Sequence, residues 1–264
     1  MSRLNPDLEA RYKLTLANAA KELTIGESLP VNVERVCAKL QIEHGRKIHS
    51  NKTALLAGKS RVYLPLALLP PSSHYSAKER YVIAHEIGHL ILTSLCSATP
   101  LGSSEYWQFE NLCDSFARQL LIPEHILNKF PDSIDSPREA LEISLGLASD
   151  ALVTWPTAAW RVAERYPEFA FLHVTIRRNQ FGQLTMKVSA STLPRKQLQK
   201  KILTTQVGLG LMLAPLTQGK EAFSFCDNEY ERSEIMTELA ALGEVDGAYA
   251  MRSRGICVAF HLKR

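Results

Sequence analysis

Paired cysteines are missing from this chain. Its five cysteines, Cys37, Cys96, Cys113, Cys226 and Cys257, are scattered and odd in number, and no CxxC pair occurs. That argues against a disulfide framework and suits reduced thiols in a cytoplasm. Long hydrophobic runs are missing too. The most apolar stretch, Val207 to Leu216, is short and contains glycine, so it cannot span a membrane. The opening residues, Met1-Ser2-Arg3-Leu4-Asn5-Pro6, show no signal-peptide core, and there is no internal repeat or low-complexity tract. Charge of one sign is scarce: the formal net charge is +4, a mild excess that permits contact with nucleic acid without arguing for it. What remains is the composition of an ordinary soluble protein, 45% hydrophobic and 22% charged. Its 264 residues can bury one large core or two modest ones.

Against that plain background one stretch stands out. His85-Glu86-Ile87-Gly88-His89 is an HExxH sequence framed by Tyr81-Val82-Ile83-Ala84 and Leu90-Ile91-Leu92. On a helix, residues four apart share a face, so both imidazoles can reach one metal ion. Neutral histidine nitrogens suit Zn²⁺, which prefers N and S ligands in a tetrahedral site. Glu86 flanks the ligand face, where it can hold a water beside the metal and take its proton. The bland alternative is a buried helix with two incidental histidines; the helical, apolar frame favours the metal.

A catalytic zinc site needs a third protein ligand and an open position. The stretch Glu110 to Ile122 has helical periodicity, with Leu112, Phe116, Leu120 and Cys113, Ala117, Leu121 on its apolar side and Pro123 as its stop. Glu110 and Asp114 lie four apart on one side of it. Glu110 can be the third ligand, while Asp114 accepts the outer N–H of a ligand histidine and fixes its tautomer. Both could instead be ordinary carboxylates near a helix start; beside an HExxH helix, ligation is the stronger reading.

These residues resemble the ImmA/IrrE family of metallopeptidases. Members carry an "AHELGH" helix followed by "E-x-x-A-N-x-F-A" running into "LLMP". This chain has Ala84-His85-Glu86-Ile87-Gly88-His89, then Glu110, Cys113-Asp114, Phe116-Ala117 and Leu120-Leu121-Ile122-Pro123. Cys113 stands where the family has Ala, and Asp114 where it has Asn. The likeness covers residues 78–127 well and continues more weakly, in the right order, on both sides. It implies a cytoplasmic zinc protease that cuts a DNA-binding repressor and so switches on stress, DNA-damage or mobile-element genes.

The periodicities predict an α+β protein of three parts. A mainly helical zincin-like metallopeptidase domain spans 1–134. It has helices at 7–24 and 33–40, short strands within 52–66 that the prolines confine to a sheet edge or loop entry, a site helix at 76–95 and a ligand helix ending at Pro123. Ser76-Ala77-Lys78-Glu79 has the form of a capping box, and an edge strand beside the site helix would seat an extended peptide. Residues 135–167 read as a helix-turn-helix-like segment, with Ser136 as cap, Pro137 at the first helical position and the turn at Gly146. Its second helix offers few basic residues, Arg161 and Arg165, so packing is favoured over DNA recognition. Residues 168–264 read as a C-terminal α+β domain with strands at 169–176, 184–188, 222–226 and 256–262 and helices at 196–203 and 231–242. Family resemblance implies a GAF-like sensor at this end, or a substrate-holding domain.

The remaining polar residues are less telling. His44, His49, His74, His125, His173 and His261 show no ligand spacing. Tyr63, His74, Tyr75 and Tyr106 are all candidates for the group that assists the transition state. Cys96, in the loop after the site helix, could reach the open zinc position, although two inert apolar cysteines at Cys96 and Cys113 is the simpler reading. The expectation is a gluzincin-like zinc endopeptidase with His85, His89 and Glu110 on Zn²⁺ and Glu86 as base. Its substrate is a helix-turn-helix repressor, and no membrane is involved. The competing class is a DNA- or protein-binding regulator with a structural, non-catalytic metal.

Overall fold

The computed structural model describes residues 5–47, 54–56, 61–65, 75–96, 103–178, 184–192, 223–224, 247–252 and 255–261. The chain divides into two compact units, Met1–Phe130 with Leu147–Thr154, and Pro131–Gly146 with Trp155–Arg264. Among the described residues there are seven helices and two sheets. No helix among them is long and apolar enough to cross a membrane.

The first unit is built on three long helices. Helix α1 (Pro6–Leu23) starts where Asn5 accepts from the Asp7 N–H and Pro6 opens the helix, and it buries Tyr12, Leu16 and Ala20. Helix α2 (Val33–Lys39) is capped by Asn32, whose side chain accepts from Arg35 N at 2.9 Å. Helix α3 (Ala77–Cys96) carries the HExxH sequence. The expected capping box forms: Ser76 N donates to Glu79 Oε2 at 2.8 Å, and Glu79 N to Ser76 Oγ at 3.3 Å. Helix α4 (Ser103–Leu121) begins seven residues before Glu110 and ends just ahead of Pro123; a single turn, α5 (Glu124–Leu127), follows. Ile83, Ile87 and Leu92 of α3 and Phe116, Leu120 and Leu121 of α4 are fully buried, and Tyr12 of α1 meets Phe109 with ring centroids 5.8 Å apart.

A small mixed sheet completes this unit, with strands β1 (Glu43–Lys47), β2 (Ala54–Leu56) and β3 (Arg61–Pro65) in the order β1-β3-β2. β3 pairs with β1 in parallel and with β2 antiparallel. Of the segment expected at a sheet edge or loop entry, β2 lies at an edge and Pro65 at the loop entry, while β3 itself is central among the described strands. Pro65 is tolerated because it is the last residue of the strand.

The second unit holds the C-terminal sheet. Helix α6 (Pro137–Asp150), which runs across the unit boundary, starts with Glu139 N donating to Ser136 Oγ at 3.2 Å, as the sequence suggested. Here the turn expected at Gly146 is overturned. α6 continues through Gly146 to Asp150, and the chain turns at residues 151–154, where Leu152 takes a positive φ of 50°. One glycine costs a helix about 1 kcal/mol relative to alanine and does not end it by itself. The sequence also suggests that Pro156 interrupts the next helix, α7 (Trp155–Arg165), but it is that helix's second residue, where no intrahelical N–H bond is lost. Trp155 is buried, donates from Nε1 to Ser144 Oγ at 2.9 Å and meets Phe171 edge-on. Both arginines that α7 could offer to phosphates are engaged within the chain, Arg161 with Glu164 and Arg165 with Asp132.

Strands β4 (Phe169–Arg178), β5 (Leu184–Ser191), β6 (Phe223–Ser224), β7 (Gly247–Arg252) and β8 (Gly255–His261) form a sheet in the order β5-β4-β8-β7-β6. All pairs are antiparallel except β6 with β7. Phe169, Phe171, Leu172 and Val174 of β4 and Cys257, Val258 and Ala259 of β8 are buried. β7 was not foreseen. The helices expected at 196–203 and 231–242, and most of the 222–226 strand, lie outside the described residues.

Candidate metal centre

Two helices of the first unit make the site. His85 and His89, one turn apart on α3, meet Glu110 of α4, and the three offer ligand atoms that all lie within 4.8 Å of one another. His85 Nε2 is 3.1 Å from His89 Nε2 and 3.3 Å from Glu110 Oε2; His89 Nε2 is 3.2 Å from Glu110 Oε1. Metal–nitrogen bonds of about 2.0–2.1 Å in a tetrahedron separate neighbouring ligands by about 3.3 Å. The spacing observed is therefore that of three ligands on one small cation, and the donor set, two imidazoles and a carboxylate, fits such an ion.

Asp114 orients the set. Its Oδ1 lies 2.8 Å from His85 Nδ1 and accepts the Tyr81 hydroxyl, also at 2.8 Å. With Nδ1–H donating outward, His85 turns a bare Nε2 lone pair toward His89 and Glu110, the tautomer a metal requires. Burial would raise the Asp114 pKa, but the bonds from His85 and Tyr81 and the charges of His85 and Arg118 hold it below the usual value. Burial opposes charge on His85, yet Asp114, then Glu110 and Glu86, carry its pKa upward. Burial and the neighbouring His85 push His89 down, outweighing Glu110. Glu86 is half-buried beside this group. Burial raises its pKa against the pull of His85, and Glu110 raises it further.

The helices can come this close because Gly88 has no side chain. A Cβ there would stand 3.2 Å from Cys113 Cα and 3.2 Å from Phe116 Cδ1. The backbone of α4 cannot yield as a flexible side chain would. Gly88→Val is expected to push the helices apart and cost about 1–3 kcal/mol of stability. Denaturant unfolding of the metal-free protein checks this; an unchanged midpoint and slope would show that the contact is slack.

Of the two described side chains among the four groups considered for transition-state assistance, Tyr75 and Tyr106, the latter stands one turn before Glu110 on α4. Side-chain interaction with that carboxylate, and then the charge of Glu110, raise its pKa. Tyr106 is half-exposed and edge-on to the exposed Trp107. Tyr75 lines a separate cavity, while His74 and the Tyr63 side chain lie outside the described residues. Cys113 is not among the three converging residues; it is wholly buried against Gly88, and burial raises its thiol pKa strongly, so it packs as a neutral apolar group. Cys96 is the last residue of α3 rather than part of a loop. His125 donates to the Glu27 carbonyl at 3.0 Å, and His173 bonds Ser189 in the C-terminal sheet. Sequence reasoning missed Tyr81 and Gly88. Tyr81 stands four residues before His85 on the same helical face, a spacing that could have marked it.

No family model and no curated protein matches this chain. Among solved structures, it matches a Mycobacterium tuberculosis transcriptional regulator at 14% identity with a TM-score of 0.42. The match covers 66% of this chain, which spans 55% of the regulator's own length. At that score the likeness decides nothing about function.

Proposed function

We propose that this chain is a zinc-dependent endopeptidase of the gluzincin kind, allied to the ImmA/IrrE family, that cuts a DNA-binding transcriptional repressor in the cytoplasm. One observation carries the proposal: His85, oriented by Asp114, converges with His89 and Glu110 at ligand spacing, with Glu86 one residue along the same helix. Two nitrogens and one carboxylate oxygen are the donor set of catalytic rather than structural zinc sites. Zinc held there would polarise the scissile carbonyl and acidify water.

The chain's own residues supply the rest. Glu86 takes the proton of the attacking water on a carboxylate oxygen and returns it to the leaving amine. Tyr106, one turn before Glu110, is our candidate for a hydrogen bond to the carbonyl oxygen as that oxygen gains charge. Asp114 holds His85 in its ligating tautomer. The C-terminal sheet unit senses a signal or holds the substrate. The choice of a repressor as substrate rests on the motif resemblance alone.

Co-expression with a small helix-turn-helix repressor encoded beside this gene, followed by mass spectrometry, is the test. Two repressor fragments are expected, and a zinc chelator added to the purified pair should stop their formation. A repressor that stays intact with the metal-loaded protein, or fragments that form equally with chelator, would contradict the reading.

Asp114 gives a finer prediction. Asp114→Asn is expected to keep the metal but weaken its binding about 10–100-fold, the usual effect of removing a partner of a ligand histidine. Competition with a chromophoric zinc chelator measures it. An affinity equal to wild type would show that the family's asparagine serves as well at this place.

A further inference from the structure

On the first turn of α3, five residues before His85, Arg80 is only 7% exposed. Its Nη2 donates to two backbone carbonyls, Val31 O at 2.8 Å and Ala151 O at 3.2 Å. These are neutral dipoles and do not cancel the charge. Among the described residues its Nε has no hydrogen-bond partner. Among the described residues no carboxylate is in ion-pair contact with it; the acid that acts on it through space is Glu34, exposed on α2. A buried cation without a counter-charge is costly, and a buried donor without a partner points to a water or ion that completes it.

Arg80 also lines a cavity of about 270 Å³. Asn32, Glu34 and Tyr75 give it further polar wall, and Val33 and Leu152 an apolar side. That volume lies just below the usual range for small-molecule sites, about 300–1,000 Å³, and is too small for a folded or extended peptide. A guanidinium presents a planar fork of donors that matches the oxygens of carboxylate and phosphate groups.

We propose that this cavity is a binding site for a small oxyanion, a carboxylate or phosphate of metabolite size, held by the Arg80 guanidinium. The anion supplies the counter-charge that no described residue gives Arg80, and Glu34 at the cavity wall weakens its binding by like-charge repulsion. The site shares no residue with the metal centre, and its occupancy does not depend on the proposed protease activity.

Thermal unfolding of the full-length protein at constant ionic strength, with inorganic phosphate and separately with malonate, tests it. A saturable rise in Tm is expected with at least one of the two, as binding to the folded state requires, and not with chloride. The more effective probe tells phosphate from carboxylate ligands. Arg80→Leu should lose the saturable rise. Glu34→Gln, an exposed change that leaves the fold alone, should tighten binding about 2–5-fold, the effect of removing one exposed charge interaction. Neither probe saturating, a rise that survives in Arg80→Leu, or an affinity unchanged in Glu34→Gln would overturn the proposal. If Arg80→Leu does not fold, the Glu34→Gln comparison decides alone.

Discussion

Glu86→Gln is expected to leave the protein folded and metal-loaded while cleavage falls about 10²–10⁴-fold, the range a general base contributes. The amide is nearly the same size as the carboxylate, and Glu86 is not one of the three converging ligand groups, so neither packing nor metal content should change. What is lost is a basic oxygen. As a carboxylate, the native side chain can take a proton and give it back. The amide can do neither. Single-turnover cleavage of the repressor, with zinc content measured on the same sample, checks the prediction. A variant that cuts at the wild-type rate would remove Glu86 from the chemistry. One that loses zinc as well would make it a structural residue.

Glu110→Ala should have an effect of similar size by a different route. Glu110 faces both histidines, at 3.3 Å from His85 and 3.2 Å from His89. Without it, two imidazoles on a single helix remain, short of the three protein ligands that catalytic zinc sites use. Most of the metal affinity and all measurable cleavage are expected to go. Asp114 cannot take its place: its Oδ1 is committed to His85 Nδ1 and the Tyr81 hydroxyl. Isothermal titration with zinc distinguishes the outcomes. Retained affinity in Glu110→Ala together with lost affinity in Asp114→Ala would reverse the two roles.

The parts of this site that could be read from the sequence are local ones. The four-residue spacing of His85 and His89, the Ser76–Glu79 capping box and the stop at Pro123 each concern neighbours within one turn, where backbone geometry dictates who meets whom. The pairing of His85 with Asp114 was also foreseeable, because a ligand histidine needs an outer partner. Gly88 was not, since its importance lies in how closely α4 passes, a distance no single helix encodes. The same holds for the sheets. Nothing local says that Arg61–Pro65 is the central strand of its sheet or that Glu43–Lys47 pairs with it in parallel. Strand Gly247–Arg252 escaped notice because Gly, Ala and Met dilute its alternation. Gly146 misled for the opposite reason: a residue that suits a turn was held in a helix by the apolar residues before and after it, Leu141, Leu147 and Ala148, all buried.

The central claim is that His85, His89 and Glu110 together hold one metal ion. Elemental analysis of the purified wild-type chain beside His89→Ala, both prepared without added metal or chelator, tests it most directly. The account predicts about one zinc per wild-type chain, as a three-ligand site requires, and little or none in the variant. Equal zinc in the two proteins would contradict it.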